Sequence, residues 1–268
     1  MDEFSVDFSL DLSELLEGIQ QGLFELVDHA HRAGLDTTSV TAPDWTVRQL
    51  LAHQGMVHRW ADALVRGGRK VDSAAFEAEG LAAADPVEWV REGGLRLIDT
   101  LHDAPDDLQA PVFLNDPPAS PKLFWARRQC HETTIHAVDA LSASLGRFPT
   151  AVDTVWITRE VAVDGIDELL AGFLTRPANK LHTASPTTVS VRPTDMDDSW
   201  RVHLGEEPAV VERGTVDQHP LRFWKREHTD VVLEATSVTL YLALWNRSDE
   251  VTADGFGFWR ENANVTWA

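Results

Sequence analysis

The sequence predicts an α+β protein, a bundle of four to five helices followed by a small α/β domain. Three observations carry this. Apolar residues recur at helical spacing in segments of about 20 residues as far as Leu174, and after Arg176-Pro177 the pattern changes to short strand-like runs bounded by Pro, Gly and Asp. In addition, 43% of the 268 residues are hydrophobic and ten are Trp, ample for a buried core. The expected division is a helical domain over 1–178 and an α/β domain over 179–268.

The first helix is expected over about 8–33, with Gly34 as its stop. Ser39 to Trp45 is a turn-rich approach, and Asp44 is a candidate N-cap for a second helix over Trp45 to Leu64, closed by Gly67-Gly68. Asp85-Pro86 opens a third helix to about His102, since Asp can cap and Pro suits the first helical position. A Pro-rich loop from Ala104 to Pro121 precedes a fourth helix, Leu123 to Leu145, which ends at Gly146, and Thr154 to Leu174 reads as a fifth. Strands are expected at Thr188–Arg192, Trp200–Leu204, Ala209–Arg213 and Thr229–Ala235. A buried helix is expected from Ser237, and a short turn or helix over Phe256–Asn264.

Composition excludes several classes of function. With 43 acidic against 23 basic residues the net charge is −20, which repels nucleic acid and anionic lipid and points to small-molecule partners. There is no run of 18 apolar residues, and the opening Met-Asp-Glu-Phe-Ser-Val-Asp is acidic where a secretory signal is basic, so no membrane span is expected and the expected location is the cytoplasm. The acidic surface favours solubility without fixing an oligomeric state. A single cysteine, Cys130, excludes an internal disulfide and a Cys-rich zinc knuckle, so any metal must take nitrogen and oxygen ligands.

The chemistry concentrates in His131-Glu-Thr-Thr-Ile-His136 and in His53, far upstream. Each helical residue turns by about 100°, so Glu132 and His136, four apart, share a face, whereas His131 and His136 point about 140° apart. This rules out the zinc-protease pattern, which needs two histidines four apart with a glutamate between them. In a bundle, His53 in the middle of the second helix can face Glu132 and His136 on the fourth, and His, Glu and His form a catalytic zinc set with an open fourth position. Taken alone, a histidine on a largely apolar helix is more often a hydrogen-bonded structural residue than a ligand, and Glu/His pairs four apart are common on solvated faces. On spacing alone the structural role leads.

Sequence context changes that balance. Ala42-Pro-Asp-Trp-Thr-Val-Arg-Gln-Leu-Leu-Ala-His53 and Arg128-Gln-Cys-His-Glu132-Thr-Thr-Ile-His136-Ala-Val-Asp closely resemble the two signature stretches of the mycothiol-dependent maleylpyruvate isomerase family. Leu240-Tyr-Leu-Ala-Leu-Trp-Asn-Arg247 resembles the Leu-Trp-Gly-Arg segment of its C-terminal domain, so the resemblance covers nearly the whole chain. It implies a DinB-like up-down four-helix bundle followed by a small α/β C-terminal domain. It further implies His53, Glu132 and His136 as ligands of a divalent metal, usually zinc, and mycothiol, the low-molecular-weight thiol of actinobacteria, as cosubstrate. In the isomerase the thiolate adds to a conjugated double bond, the bond rotates and the thiol leaves; in relatives the thiol stays on the product. Arg247 is implied to handle substrate, as a guanidinium that grips a carboxylate. The departure is Asn246 where the family usually has Gly, which bears on the direction of that arginine.

Three functions are therefore compared. One is a zinc-dependent, mycothiol-using isomerase or S-transferase acting on an electrophilic small molecule. Another is an enzyme of the same fold that uses bound water or a thiol-independent substrate, and the last is a non-catalytic binding relative. Around the candidate site, His58 and His131 are expected on the bundle surface, Asp139 in a salt bridge or as support for a ligand, Cys130 in packing, and Trp45 as an anchor at the helix start.

Overall fold

The computed structural model describes residues 10–179, 181–215 and 230–263. By compactness the chain divides into a helical unit, Leu10–Phe113 with Pro117–Pro149, and a second unit comprising Leu114–Asp116 and the chain from Thr150 onward.

In the helical unit, α1 (Leu12–Ala33) begins with a capping box: Asp11 accepts from the Glu14 amide, and the Glu14 carboxylate accepts from the Asp11 amide. Its buried stripe includes Leu15, Ile19, Leu23 and Leu26, each worth about 1.5–3 kcal/mol of burial. Helix α2 (Val47–Val65) is capped by Thr46, which forms a box with Gln49. Asp44, the expected cap, is exposed in the preceding turn, because Thr46-x-x-Gln49 satisfies two orphan amides at once. A short helix α3 (Ser73–Ala82), which the sequence analysis did not single out, precedes α4 (Pro86–Asp103) and α5 (Pro121–Leu145). Asp85 and Ser120 cap these last two, and Gly146 ends α5 in the left-handed conformation at φ 67°.

The four long helices pack in a ring, α1 on α5 and α4, and α2 on α4 and α5. Two glycines set the spacing. A Cβ at Gly22 would lie 3.2 Å from the Thr134 amide nitrogen, so α1 approaches the backbone of α5 beside Glu132. A Cβ at Gly55 would lie 2.1 Å from the Trp89 ring, which α2 must admit for α4 to seat there. The Arg59 guanidinium lies 3.6 Å from the centroid of that ring.

In the second unit, α6 (Arg159–Asp167) starts at the Thr158 cap and continues as a π-helical turn, Glu168–Phe173. The sheet follows in the order β3-β2-β1-β4, built from β1 (Thr187–Pro193), β2 (Asp198–Leu204), β3 (Val210–Thr215) and β4 (Val231–Ala235). Strand β1 pairs antiparallel with β2 and parallel with β4, and β2 pairs antiparallel with β3. Helices α7 (Ser237–Leu244) and α8 (Gly257–Asn262) complete the unit.

The fold class is α+β, as the sequence predicts. The helix expected to extend the bundle sits instead in the second unit, so compactness divides the chain near Pro149 and the expected boundary at 178/179 falls within the second unit. The cause is local. The Trp200 and Trp245 indoles donate to the Asp167 carboxylate and the Gly165 carbonyl of α6, at 3.0 and 3.1 Å. Phe8, Ser9, Thr229 and Asn264, which belong to expected elements, lie outside the described residues.

Candidate metal centre

The helical unit brings His53 of α2 against Glu132 and His136 of α5. The His53 Nε2 and His136 Nε2 atoms lie 3.6 and 3.3 Å from Glu132 Oε1, and one ligand atom from each residue falls within 4.8 Å of the others. The two imidazoles meet edge to face, with centroids 5.2 Å apart. Glu132 is 4% exposed, and its Oε1 has no hydrogen bond of ordinary geometry. A buried carboxylate oxygen needs a positive partner, and the groups before this one are the two imidazole nitrogens. Two imidazole nitrogens aimed at that oxygen make a set that a divalent cation satisfies, so the residues present fit a metal ion.

The atoms turned away from this point are held from behind. Glu132 Oε2 accepts from Arg128 Nη2 at 3.0 Å, which leaves Oε1 directed inward. His136 Nδ1 donates to Asp139 Oδ2 at 3.0 Å, so that the ring, once it gives up its Nε2 proton, has its lone pair on Nε2. Burial raises the Glu132 pKa, but hydrogen bonding from His136 and His53 and the charges of His136 and Arg128 outweigh it, so the carboxyl is held well below its usual range. Burial likewise lowers His136, yet Asp139 and Glu132 pull it up to about 9 without a metal ion.

Trp45 closes one side. Its ring centroid lies 4.6 Å from that of His53 and 5.8 Å from that of His136, and it is half-buried. The sequence analysis assigned it only to the helix start, although it stands within the signature stretch. Arg128 was also missed as a partner of Glu132, and the signal was its position four residues upstream on the same helix. Asp139 pairs with His136 at 3.0 Å, the salt bridge expected of it. His58 and His131, expected on the surface, are both fully buried. His58 Nε2 sits 2.7 Å from Gln54 Nε2 and 2.9 Å from Thr133 Oγ1, and burial pushes its pKa down to about 3, so it stays neutral. Cys130 is buried in packing, as expected.

Arg247 belongs to the second unit, just after α7. Its Nη1 donates to the Trp245 carbonyl at 2.8 Å. The preceding Asn246 has φ 61°, in the left-handed region, which Gly adopts freely and Asn tolerates better than most residues. The Asn246 side chain also donates to the Ala263 carbonyl at 3.0 Å. The exchange of Gly for Asn is thus compatible with the turn that follows α7.

A helical bundle presenting two histidines and a glutamate to one point, joined to a small α/β unit, defines a class of two-part α+β proteins with a candidate metal site. Two family models match the chain, the mycothiol maleylpyruvate isomerase N-terminal domain over residues 16–141 and the MDMPI C-terminal domain over 160–257. The chain belongs to the mycothiol-dependent maleylpyruvate isomerase family. Crystal structures of the mycothiol-dependent maleylpyruvate isomerase and of its histidine-to-alanine mutant share the fold, at 17% and 16% identity and TM-scores of 0.56 and 0.58; both matches cover 91% of this chain and 93% of the other. No curated protein matches the sequence. Among the described residues, no helix is long and apolar enough to cross a membrane.

Proposed function

We propose that this protein is a zinc-dependent, mycothiol-using enzyme, an isomerase or S-transferase acting on an electrophilic small molecule. The observation that carries the reading is the convergence of His53 Nε2, Glu132 Oε1 and His136 Nε2 on one point, in a chain matched by both family domains. When bound, the ion would supply the Lewis acidity that holds a thiol as thiolate near neutral pH. Three protein ligands leave a coordination position for that sulfur.

The chain's own residues do the rest. Arg128 and Asp139 hold Glu132 and His136 in the orientation that binds. Trp45 covers both imidazoles and limits the access of water on its side. Arg247 is proposed to bind a carboxylate of the substrate through its guanidinium.

The test is turnover of maleylpyruvate and of simpler conjugated electrophiles by the zinc-loaded protein, with and without mycothiol. Isomerised product with free thiol regenerated identifies an isomerase, and product retaining the thiol identifies an S-transferase. Equal turnover without any thiol refutes the thiol-dependent reading.

A further inference from the structure

The segment between α1 and α2 is tied to the metal centre through one side chain. Asp139 is fully buried, and its carboxylate meets both His136 and the loop. Its Oδ2 accepts from His136 Nδ1 at 3.0 Å, and its Oδ1 accepts from the Thr41 hydroxyl at 2.5 Å. Thr41 lies in the loop that carries Trp45. That loop is folded on itself, with the Ser39 amide donating to the Trp45 carbonyl at 3.1 Å and the Trp45 amide to the Ala42 carbonyl at 3.0 Å.

Other anchors hold the same loop to α5 without using the carboxylate. The Ser39 hydroxyl meets the Asp139 main-chain carbonyl at 3.0 Å and the Ser142 hydroxyl at 2.8 Å, and the Thr41 amide donates to Ser142 Oγ at 3.3 Å. These contacts fasten the loop whatever the state of His136. The Thr41 hydroxyl, which also lies 3.0 Å from Ser142 Oγ, reaches the carboxylate that grips His136. A cation on the far nitrogen of His136 ties that ring to His53 and Glu132, and through the Nδ1–Oδ2 bond it fixes the orientation of the Asp139 carboxylate. A carboxylate held in that orientation keeps Oδ1 at the Thr41 hydroxyl, so the cation interacts differently with the seated and unseated loop.

We propose that Asp139 is a positioning residue shared by the metal centre and the loop, so that filling the centre seats the Thr41–Trp45 segment over it. The proposal rests on the metal-centre reading above. It makes access past Trp45 a property of the loaded protein.

Hydrogen exchange at the amides of Ser39, Thr41, Ala42 and Trp45, measured on the full chain with and without zinc, tests this beside calorimetric zinc titration. In the wild type, zinc should slow these amides by about tenfold or more, the factor that corresponds to about 1.4 kcal/mol of added local stability. Thr41→Val should bind zinc yet lose most of the slowing, while Thr41→Ser, which keeps the hydroxyl, retains it. Thr41→Ala takes the place of the valine variant if that variant does not fold. Ser39→Ala should speed exchange in both states but keep the zinc effect. Equal slowing in the wild type and in the hydroxyl-less variant, or zinc binding that leaves the wild-type amides unchanged, overturns the coupling alone. Failure of the wild type to bind zinc overturns the centre and the coupling with it.

Discussion

Glu132 is the residue on which the centre turns, because one of its oxygens is supplied by Arg128 while the other has only imidazole nitrogens before it. That oxygen is met by a cation when one is bound and, in the metal-free protein, by the proton that His136 keeps up to about pH 9. The support from Asp139 makes a prediction: Asp139→Asn removes the charge behind His136 and should weaken zinc binding about 10–100-fold, read by competition with a chelating dye. Proton competition gives another. Without metal, His136 titrates near 9, and its Nε2 proton must leave before the lone pair can coordinate. Zinc affinity should therefore rise from pH 6.5 towards 9, by up to about tenfold per unit, and level off above it. In the metal-free protein the same raised pKa adds stability that is complete below about 6.5 and is lost as pH rises through 9. Of these residues, His53, Glu132 and His136 stood out as candidate ligands through the resemblance of their two stretches to the family's signatures, since spacing alone left a structural role ahead. Arg128 could have been read from its place four residues before Glu132, whereas Trp45 and Thr41 could not, since their contribution depends on which way a loop turns, and spacing along the chain does not encode that.

The elements that carry the site depend on caps and close approaches more than on propensity. Thr46 starts α2 and thereby sets the turn on which His53 lies, so Thr46→Ala should cost about 1 kcal/mol of stability, read by urea unfolding. Gly55→Ala should cost more, about 1–3 kcal/mol, because its Cβ would meet the Trp89 ring. The long helices and all four strands were legible in periodicity and punctuation. Helix α3 was not, because Ser73–Ala82 is short and has only Gly80 fully buried, so no apolar stripe announces it. The π-helical turn after α6 was likewise hidden, since Glu168–Phe173 has the composition of an ordinary helix. The Thr46 cap was present in the sequence as Thr-x-x-Gln, but Asp44 stood closer to the turn and drew the assignment.

For the whole molecule, family membership covers both units, and the fold places all three candidate ligands in the helical one. A ligand set drawn from two helices couples metal binding to folding, because the unfolded chain does not hold these three residues together. Zinc present at 100 times its dissociation constant should raise stability by about 2.7 kcal/mol, and stripping it with a chelator should lower the melting temperature accordingly. A protein with a net charge of −20 also carries a field that attracts cations towards any open site. The direct test of the central claim is elemental analysis of protein purified without added metal or a histidine tag, beside Glu132→Ala. About one zinc per chain, lost in the variant, is the expected result. No metal in either protein, even after zinc is supplied and the excess removed, would contradict the account.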